Sequence, residues 1–172
     1  RKGNAKEVFP GGNTGNGFHS FYNYIIPEDA NRIFVLKGGP GVGKSSFMRK
    51  IAKEFMELGF DVELHHCSSD NNSLDGLVIP AINIALLDGT APHVVDPKNP
   101  GAVDEILNLG EYWDEKEMVV NKNAIIKCNK EVRTNFFSAY HYLASAKEIQ
   151  SDIETAVTSA IDKIKFNNML SE

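Results

Sequence analysis

One glycine-rich octapeptide constrains this chain more than any other feature. Residues 38–45 read Gly-Gly-Pro-Gly-Val-Gly-Lys-Ser and match the pattern G-x-x-x-x-G-K-[ST] in full. They follow the apolar run 33–36 and precede a helical pattern over 45–58, which is the strand–loop–helix context that a phosphate loop requires. With glycine at about 7% of residues, roughly one chain in a hundred or fewer would match by chance. The sequence therefore predicts a phosphate-binding loop.

The residue types at these positions suit that chemistry. We expect Gly38, Gly41 and Gly43 to adopt positive φ, so that several backbone N–H groups can approach phosphate oxygens closely. The loop leads into the N-terminus of a helix, where unpaired N–H groups and the helix dipole favour an anion. Lys44 is expected to reach the β- and γ-phosphates, and the Ser45 hydroxyl to ligate Mg²⁺. The predicted nucleotide-binding residues are Gly38, Gly39, Pro40, Gly41, Val42, Gly43, Lys44, Ser45 and Ser46.

The amino-acid composition limits the kinds of partner and the cellular location that we expect for this chain. The net charge of −5 offers no broad basic field, so we do not expect nucleic acid to be a partner. No stretch approaches the roughly 18 apolar residues of a membrane span, and the two cysteines suit a reducing cytoplasm. Because the chain begins at Arg1 rather than Met, we expect it to be part of a longer protein.

The pattern after residue 31 predicts a β-α-β unit, with strands at 32–36 and 61–67 around the helix 45–58. A third strand is predicted at 82–87, and it ends on Asp88. An aspartate at the end of an apolar strand is the usual second half of a phosphate-loop site, so Asp88 is predicted to hold the Mg²⁺ together with Ser45. No glutamate follows Asp88. Thr90 and His93 are then the nearest polar groups to sense the γ-phosphate or relay a proton.

The second strand runs into the polar segment 65–76. The carboxyl ends of parallel strands form the ligand edge of an α/β sheet, so Asp70 and Asp75 are predicted near the site. They either hold a metal-bound water, orient a nucleophile or grip a second substrate, or they only cap the loop through Asx turns. A zinc site in this segment is disfavoured because strand alternation separates its two histidines and no second Cys/His pair follows.

Two segments flank this unit. Residues 1–17 are rich in glycine and asparagine and predict an irregular loop. The aromatic side chains that follow either cover one edge of the core or offer one ring to stack on the nucleotide base. These are Phe18, Phe21, Tyr22 and Tyr24.

The C-terminal part predicts helix. A short helix is expected at 103–109, and residues 111–172 contain neither glycine nor proline. Their apolar residues predict a helical arm, or a hairpin that breaks near 145–152. The arm is interpreted either as a packing or dimerising element or as a lid that docks a partner. We thus expect two domains, a nucleotide-binding domain over 1–110 and the helical arm over 111–172.

The predicted fold is α/β, a three-layer P-loop NTPase with a parallel sheet and a C-terminal helical arm or hairpin. Such domains usually build about five parallel strands, whereas three candidates are apparent here. Either the remaining strands lie beyond residue 172, or a second copy completes the sheet.

Several further runs accompany the phosphate loop: Phe9-Pro10-Gly11-Gly12-Asn13-Thr14 with Gly17-Phe18, His65-His66-Cys67-Ser68-Ser69-Asp70, Ser73-Leu74-Asp75-Gly76, Asp88-Gly89-Thr90-Ala91-Pro92-His93 and Pro100-Gly101-Ala102-Val103-Asp104-Glu105. Together with Lys37 through Ser45 they resemble an uncharacterised bacterial family of P-loop ATP-binding proteins. The resemblance covers most of the chain. It implies ATP binding in the cytoplasm and a tandem of two P-loop halves, of which this chain would be the N-terminal one.

Three functions are consistent with these residues. The first is a Mg²⁺-dependent ATPase that couples hydrolysis to a conformational change or a partner. The second is a small-molecule kinase in which Asp70 or Asp75 orients the acceptor hydroxyl. The third is a nucleotide-gated binding module with little turnover, which the missing glutamate after Asp88 favours. The predicted catalytic residues are Lys44, Asp88, Asp70 and His93.

Overall fold

A computed structural model of the chain describes residues 1–90 and 94–170. It divides into two compact units. The first comprises Arg1–Asn13 and Phe18–Ala124, and the second comprises Thr14–Gly17 and Ile125–Glu172.

The strands are β1 (Ala5–Val8), β2 (Gly11–Thr14), β3 (Gly17–Ser20), β4 (Arg32–Lys37), β5 (Val62–Cys67), β6 (Asp70–Ile79), β7 (Ile84–Asp88) and β8 (Asp104–Asn108). Six of them form one sheet in the order β1-β5-β6-β7-β4-β8, and β2 and β3 form a separate two-stranded sheet. Neighbouring strands of the large sheet are parallel, except that β6 runs antiparallel to both β5 and β7.

The α/β class is confirmed, and the all-parallel sheet is wrong because of β6. The three-layer P-loop NTPase architecture stays a prediction. The strands predicted at 32–36, 61–67 and 82–87 are present as β4, β5 and β7. Five strands were missed. β1 and β2 lie in the segment 1–17 predicted as irregular loop, and β3 begins at its last residue. β6 includes much of the predicted polar loop, and β8 replaces the helix predicted at 103–109. The expectation that the sheet needs strands from beyond residue 172 or from a second copy therefore loses its basis.

The core of this unit lies between the sheet and α1 (Lys44–Glu57), which packs against β5 and β6. Met48 and Ala52, four residues apart, are fully buried on its inner face. Gly59 follows the helix with φ 94°, a left-handed conformation that ends a helix readily only when the residue is glycine. The buried strand residues that complete this cluster are Leu36, Val62, Leu64, Leu74, Leu77, Ile79 and Leu86.

The C-terminal segment is helical, as predicted. α2 (Glu115–Val120) begins after Asp114, whose side chain accepts hydrogen bonds from the N–H groups of Lys116 and Glu117. α3 (Lys122–Ala160) then runs for 39 residues, and α4 (Lys163–Leu170) follows. The predicted break near 145–152 is wrong, because α3 is continuous through it. Of the helices that the structure describes, none combines the length and apolarity needed to cross a bilayer.

Candidate phosphate-binding site

The loop between β4 and α1 has the backbone that a phosphate cradle needs. Gly38, Gly41 and Gly43 have φ angles of 134°, 84° and 92°, as the sequence predicted. These values lie in the left-handed region, which costs a residue with a Cβ about 1–2 kcal/mol. Gly43 is the N-cap of α1 and has no side chain to cap it. The first N–H groups of α1 are therefore left for another acceptor.

Lys44 is the best-positioned charged group of the loop. Its side chain is only 8% exposed, and Nζ donates hydrogen bonds to the carbonyl oxygens of Gly38 (2.7 Å) and Gly39 (3.0 Å). Nζ also lies 3.6 Å from Oδ2 of Asp88. The ammonium group is thus held inside the loop, between the strand ends of β4 and β7, where an anion bound by the loop amides would meet it.

Asp88 ends β7 and pairs in register with Leu36 of β4, immediately before the phosphate loop. Its two oxygens have different neighbours. Oδ1 accepts hydrogen bonds from the backbone N–H (2.9 Å) and the hydroxyl of Thr90, and Oδ2 faces Lys44. The structure therefore brings together Lys44 and Asp88, and it uses Thr90 to fix the orientation of the Asp88 carboxyl group.

Ser45 connects the loop to the unpredicted strand β6. Its Oγ accepts a hydrogen bond of 2.9 Å from the backbone N–H of Leu74. The hydroxyl keeps its own hydrogen and a second lone pair, so this contact fixes the oxygen in place and leaves it able to ligate a cation. The side chain predicted to bind Mg²⁺ is thereby tied to the sheet.

β6 also brings a buried carboxyl group to this edge. β6 and β7 pair through Gly76 and Leu87, and continuing that register by one residue places Asp75 beside Asp88. Asp75 is 6% exposed. Tyr22, whose ring is buried, interacts with Asp75 through its hydroxyl group. Burial first, and then Asp75, raises the pKa of Tyr22 far above its ordinary value.

Asp70, at the start of β6, makes local hydrogen bonds. One oxygen accepts the N–H of Asn72 (3.0 Å) and the other accepts the hydroxyl of Ser73 (2.7 Å). The hydrogen bond from Ser73, followed by that from Asn72, holds the pKa of Asp70 below its usual range. Asp70 is fully exposed, so its contacts are those of a turn cap. Its catalytic role stays a prediction, and His93 lies outside the described residues.

Trp113 is a site neighbour that the sequence did not assign to the loop. The Trp113 ring rests on the loop backbone at Gly39. A Cβ added to Gly39 would lie only 3.2 and 3.3 Å from two carbons of that ring. The 3₁₀ turn Leu109–Tyr112 positions this ring, with Asn108 Oδ1 accepting the N–H of Gly110 (3.0 Å). A bulky aromatic residue just after Gly110 was the available signal, but only the strand assignment of β8 places it beside β4.

The Ser45 hydroxyl and the Asp88 carboxyl group suit a cation that phosphate oxygens of a bound nucleotide would also ligate. Within the described residues, no three His, Cys, Asp or Glu side chains are grouped closely enough to hold a metal ion by themselves. Mg²⁺ typically keeps several waters and takes one or two protein ligands together with substrate phosphates. The Ser45 hydroxyl and the Asp88 carboxyl group are ligand types that match this requirement.

A depression of about 400 Å³ lies at the opposite edge of the sheet from the phosphate loop, around the start of β4 and β8. Its charged side chains are already used. Arg32 pairs with Glu105, and Asp104 accepts the backbone N–H of Asn99. It has no glycine cradle next to a helix N-terminus, so we place the functional site at the phosphate loop.

Comparison with known proteins gives no match: no family model, no curated protein and no solved structure is significantly similar to this chain.

Proposed function

We propose that this chain binds ATP with Mg²⁺ at residues 38–46 and hydrolyses it, and that the helical arm passes the nucleotide state to a partner. The observation that carries the proposal is the position of Lys44. Its ammonium lies between two carbonyls of a loop with three left-handed glycines and the carboxyl group that ends the neighbouring strand. A buried lysine at the start of a helix that has no side-chain N-cap is suited to a polyphosphate.

Each group has a distinct part in this proposal. The loop amides and the α1 dipole bind the phosphate oxygens, and Lys44 offsets their charge. The Ser45 hydroxyl and the Asp88 carboxyl would hold the cation, which neutralises charge that develops as the phosphates separate. The Thr90 contacts keep Asp88 in one orientation, so little ordering is needed on binding.

The attacking water needs an acceptor for its proton or a group to orient it. Gly89 follows Asp88, so the chain supplies no carboxyl group at the usual position. Asp75 is the nearest substitute, because the register of β6 and β7 places it opposite Asp88 and it interacts with the Tyr22 hydroxyl. We assign Asp75 the orientation of water and Tyr22 the orientation of Asp75.

Nucleotide binding is tested by calorimetric titration with ATP in Mg²⁺ and in EDTA, for the wild type, Lys44→Ala and Lys50→Ala. Lys50 is an exposed lysine on the same helix and serves as the matched control. Losing a charge-assisted contact to phosphate costs about 1.5–3 kcal/mol, so Lys44→Ala should weaken binding about 10- to 150-fold, while Lys50→Ala binds like the wild type. ATP affinity that is unchanged in Lys44→Ala would refute the site.

Hydrolysis is tested by phosphate release with no acceptor added. Asp75→Asn should lower kcat about 100-fold or more while ATP affinity stays within about threefold. The second candidate, a nucleotide-gated module with little turnover, is favoured by Gly89 after Asp88. It predicts tight ATP binding and no phosphate release in the wild type, whereas a kinase would release little product until its acceptor is supplied.

A further inference from the structure

α3 has a mainly apolar face, interrupted by Asn129 and Gln150, that is exposed. None of its 39 residues, all within the described part of the chain, is buried. Its apolar residues follow a heptad repeat, the spacing that keeps one face of a helix against a partner helix. Position a is taken by Asn129, Phe136, Leu143, Gln150 and Val157, and position d by Val132, Ala139, Ala146, Ile153 and Ala160.

The exposed fractions of the large side chains show that this face is open to solvent. Val132, Ile153 and Val157 are 54%, 59% and 56% exposed, although all three lie on the a/d face. The turn at Gly15, which belongs to the same unit, lies against Ala144. Ala144 is at position b, beside the face and not on it. Large apolar residues in a regular row usually mark a surface that another element covers.

The length of the face suits a paired helix. From Asn129 to Ala160 it extends about 48 Å at 1.5 Å per residue. Its a, d, e and g positions offer 18 residues per helix, just under the roughly 20–30 per side that a stable protein interface uses. The occupant that fits this length without any further chain is α3 of a second copy.

The order of side chains along the a/d face favours an antiparallel pairing of the two helices. Two copies of α3 that run antiparallel about the midpoint between Ala144 and Ser145 place each a residue opposite a d residue. The large apolar layers are then Val132 with Val157 and Phe136 with Ile153. The two amides fall opposite small residues, Asn129 opposite Ala160 and Gln150 opposite Ala139, so no amide faces another large side chain.

The e and g positions, which flank the a/d face, also favour the antiparallel pairing. In the antiparallel arrangement Arg133 meets Glu154 of the other copy, and Tyr142 meets Ile149 of the other copy. In a parallel arrangement, where g meets the e position five residues on, Tyr142 would face Lys147 and Ile149 would face Glu154. Only the antiparallel pairing matches opposite charges and joins apolar residues with each other.

We propose that α3 pairs with α3 of a second copy of this chain as an antiparallel two-stranded coiled coil over residues 129–160. The proposal does not depend on nucleotide binding.

The oligomeric state is measured by sedimentation equilibrium of the whole 172-residue chain. The wild type should be a dimer at micromolar concentration. Leu143→Asp should be a monomer, because it places two carboxylates in the central layers. The control Ser138→Asp adds the same charge at position c and should stay a dimer. A monomeric wild type, or a dimer that Leu143→Asp leaves intact, overturns the proposal.

Charge reversal tests the register. Arg133→Glu and Glu154→Arg should each weaken the dimer about fivefold or more, since each change affects two symmetric pairs. The double variant should regain the wild-type dissociation constant. Lys130→Glu, a reversal at position b, should have no effect. A double variant no tighter than either single variant contradicts the 133–154 pairing.

Disulfide trapping tests the direction independently, in a Cys128→Ser background. An Ala139→Cys chain and a Gln150→Cys chain are mixed and oxidised, and the linked peptides are identified by mass spectrometry. The antiparallel coil brings these two positions of different copies within the short Cβ separation that a disulfide needs, so the mixed disulfide should dominate. Predominance of the symmetric Ala139→Cys disulfide would indicate a parallel coil and overturn the proposal.

Discussion

Replacing Trp113 by alanine should cost the first unit a measurable part of its stability. The ring rests on Gly39 of the phosphate loop and is 41% exposed, so somewhat more than half of it is buried. A tryptophan that buries about 100–150 Å² at about 25 cal/mol per Å² contributes roughly 2.5–4 kcal/mol. Because the unfolded chain already buries part of that surface, we expect a net loss of about 2 kcal/mol.

The neighbouring residue supplies the control. Tyr112 is also aromatic but is 85% exposed, so Tyr112→Ala should change the free energy of unfolding by less than about 0.5 kcal/mol. Both variants are compared with the wild type by urea denaturation followed by circular dichroism. For a unit of this size, about 2 kcal/mol corresponds to a melting temperature roughly 4–8 °C lower. If the two alanine variants lose the same stability, or if Trp113→Ala loses none, the ring does not support the loop as the contact with Gly39 implies.

Three further perturbations follow from the structure. Asp88→Asn should weaken the Mg²⁺ dependence of ATP binding, measured by titration at several Mg²⁺ concentrations, because it removes the charged oxygen that faces Lys44; a metal response identical to wild type would remove Asp88 from the site. Burial lowers the pKa of His65 below its ordinary value of 6.5. Below that pH the unfolded chain therefore binds more protons than the folded chain, and the free energy of unfolding falls as the solution is acidified. Urea denaturation from pH 7 to 5 should show this fall, and His65→Gln should reduce it; an equal fall in both would assign it to other groups. Gly43→Ala should cost about 1–2 kcal/mol, because φ is 92° although no atom lies within 4 Å of the new Cβ. Gly12→Ala, equally open but without positive φ, should cost less than half of that, and equal losses would contradict the backbone explanation.

The parts of the fold that the sequence predicted are those whose signals are local. Glycines at fixed spacing, an apolar strand before them and an amphipathic helix after them determine β4, the loop and α1 with little help from the rest of the chain. The position of Asp88 at the end of β7 could be predicted for the same reason, since it ends an apolar strand at the expected distance along the sequence from the phosphate loop. Its partner Thr90 was identified only as the nearest polar residue, because the turn that joins them depends on backbone geometry.

The missed strands owe their conformation to neighbours. β8 is an edge strand in which only Asp104 is buried, so its side chains show no alternation that would indicate a strand. In β6, four largely exposed polar residues precede six buried ones, and the polar half was interpreted as loop. The break predicted in α3 had a similar cause. The apolar residues change phase after Leu143, and only Ala146 and Gln150 keep the heptad continuous.

In the proposed hydrolysis, the packing around Gly89 is the reason why the water-orienting carboxyl group is assigned to β6. A Cβ at residue 89 would lie 2.4 Å from Cγ1 of Val35, a buried residue of β4, and 3.2 Å from Cε of Lys37. A side chain at residue 89 would therefore have to displace Val35 of β4, so the glutamate that many ATPases place after this aspartate does not fit here. β6 lies between β5 and β7 and runs antiparallel to them, which lets Asp75 reach Asp88 from the side. If this reasoning is right, Gly89→Glu will lose stability without gaining hydrolysis, while Asp75→Glu will retain part of the activity that Asp75→Asn loses.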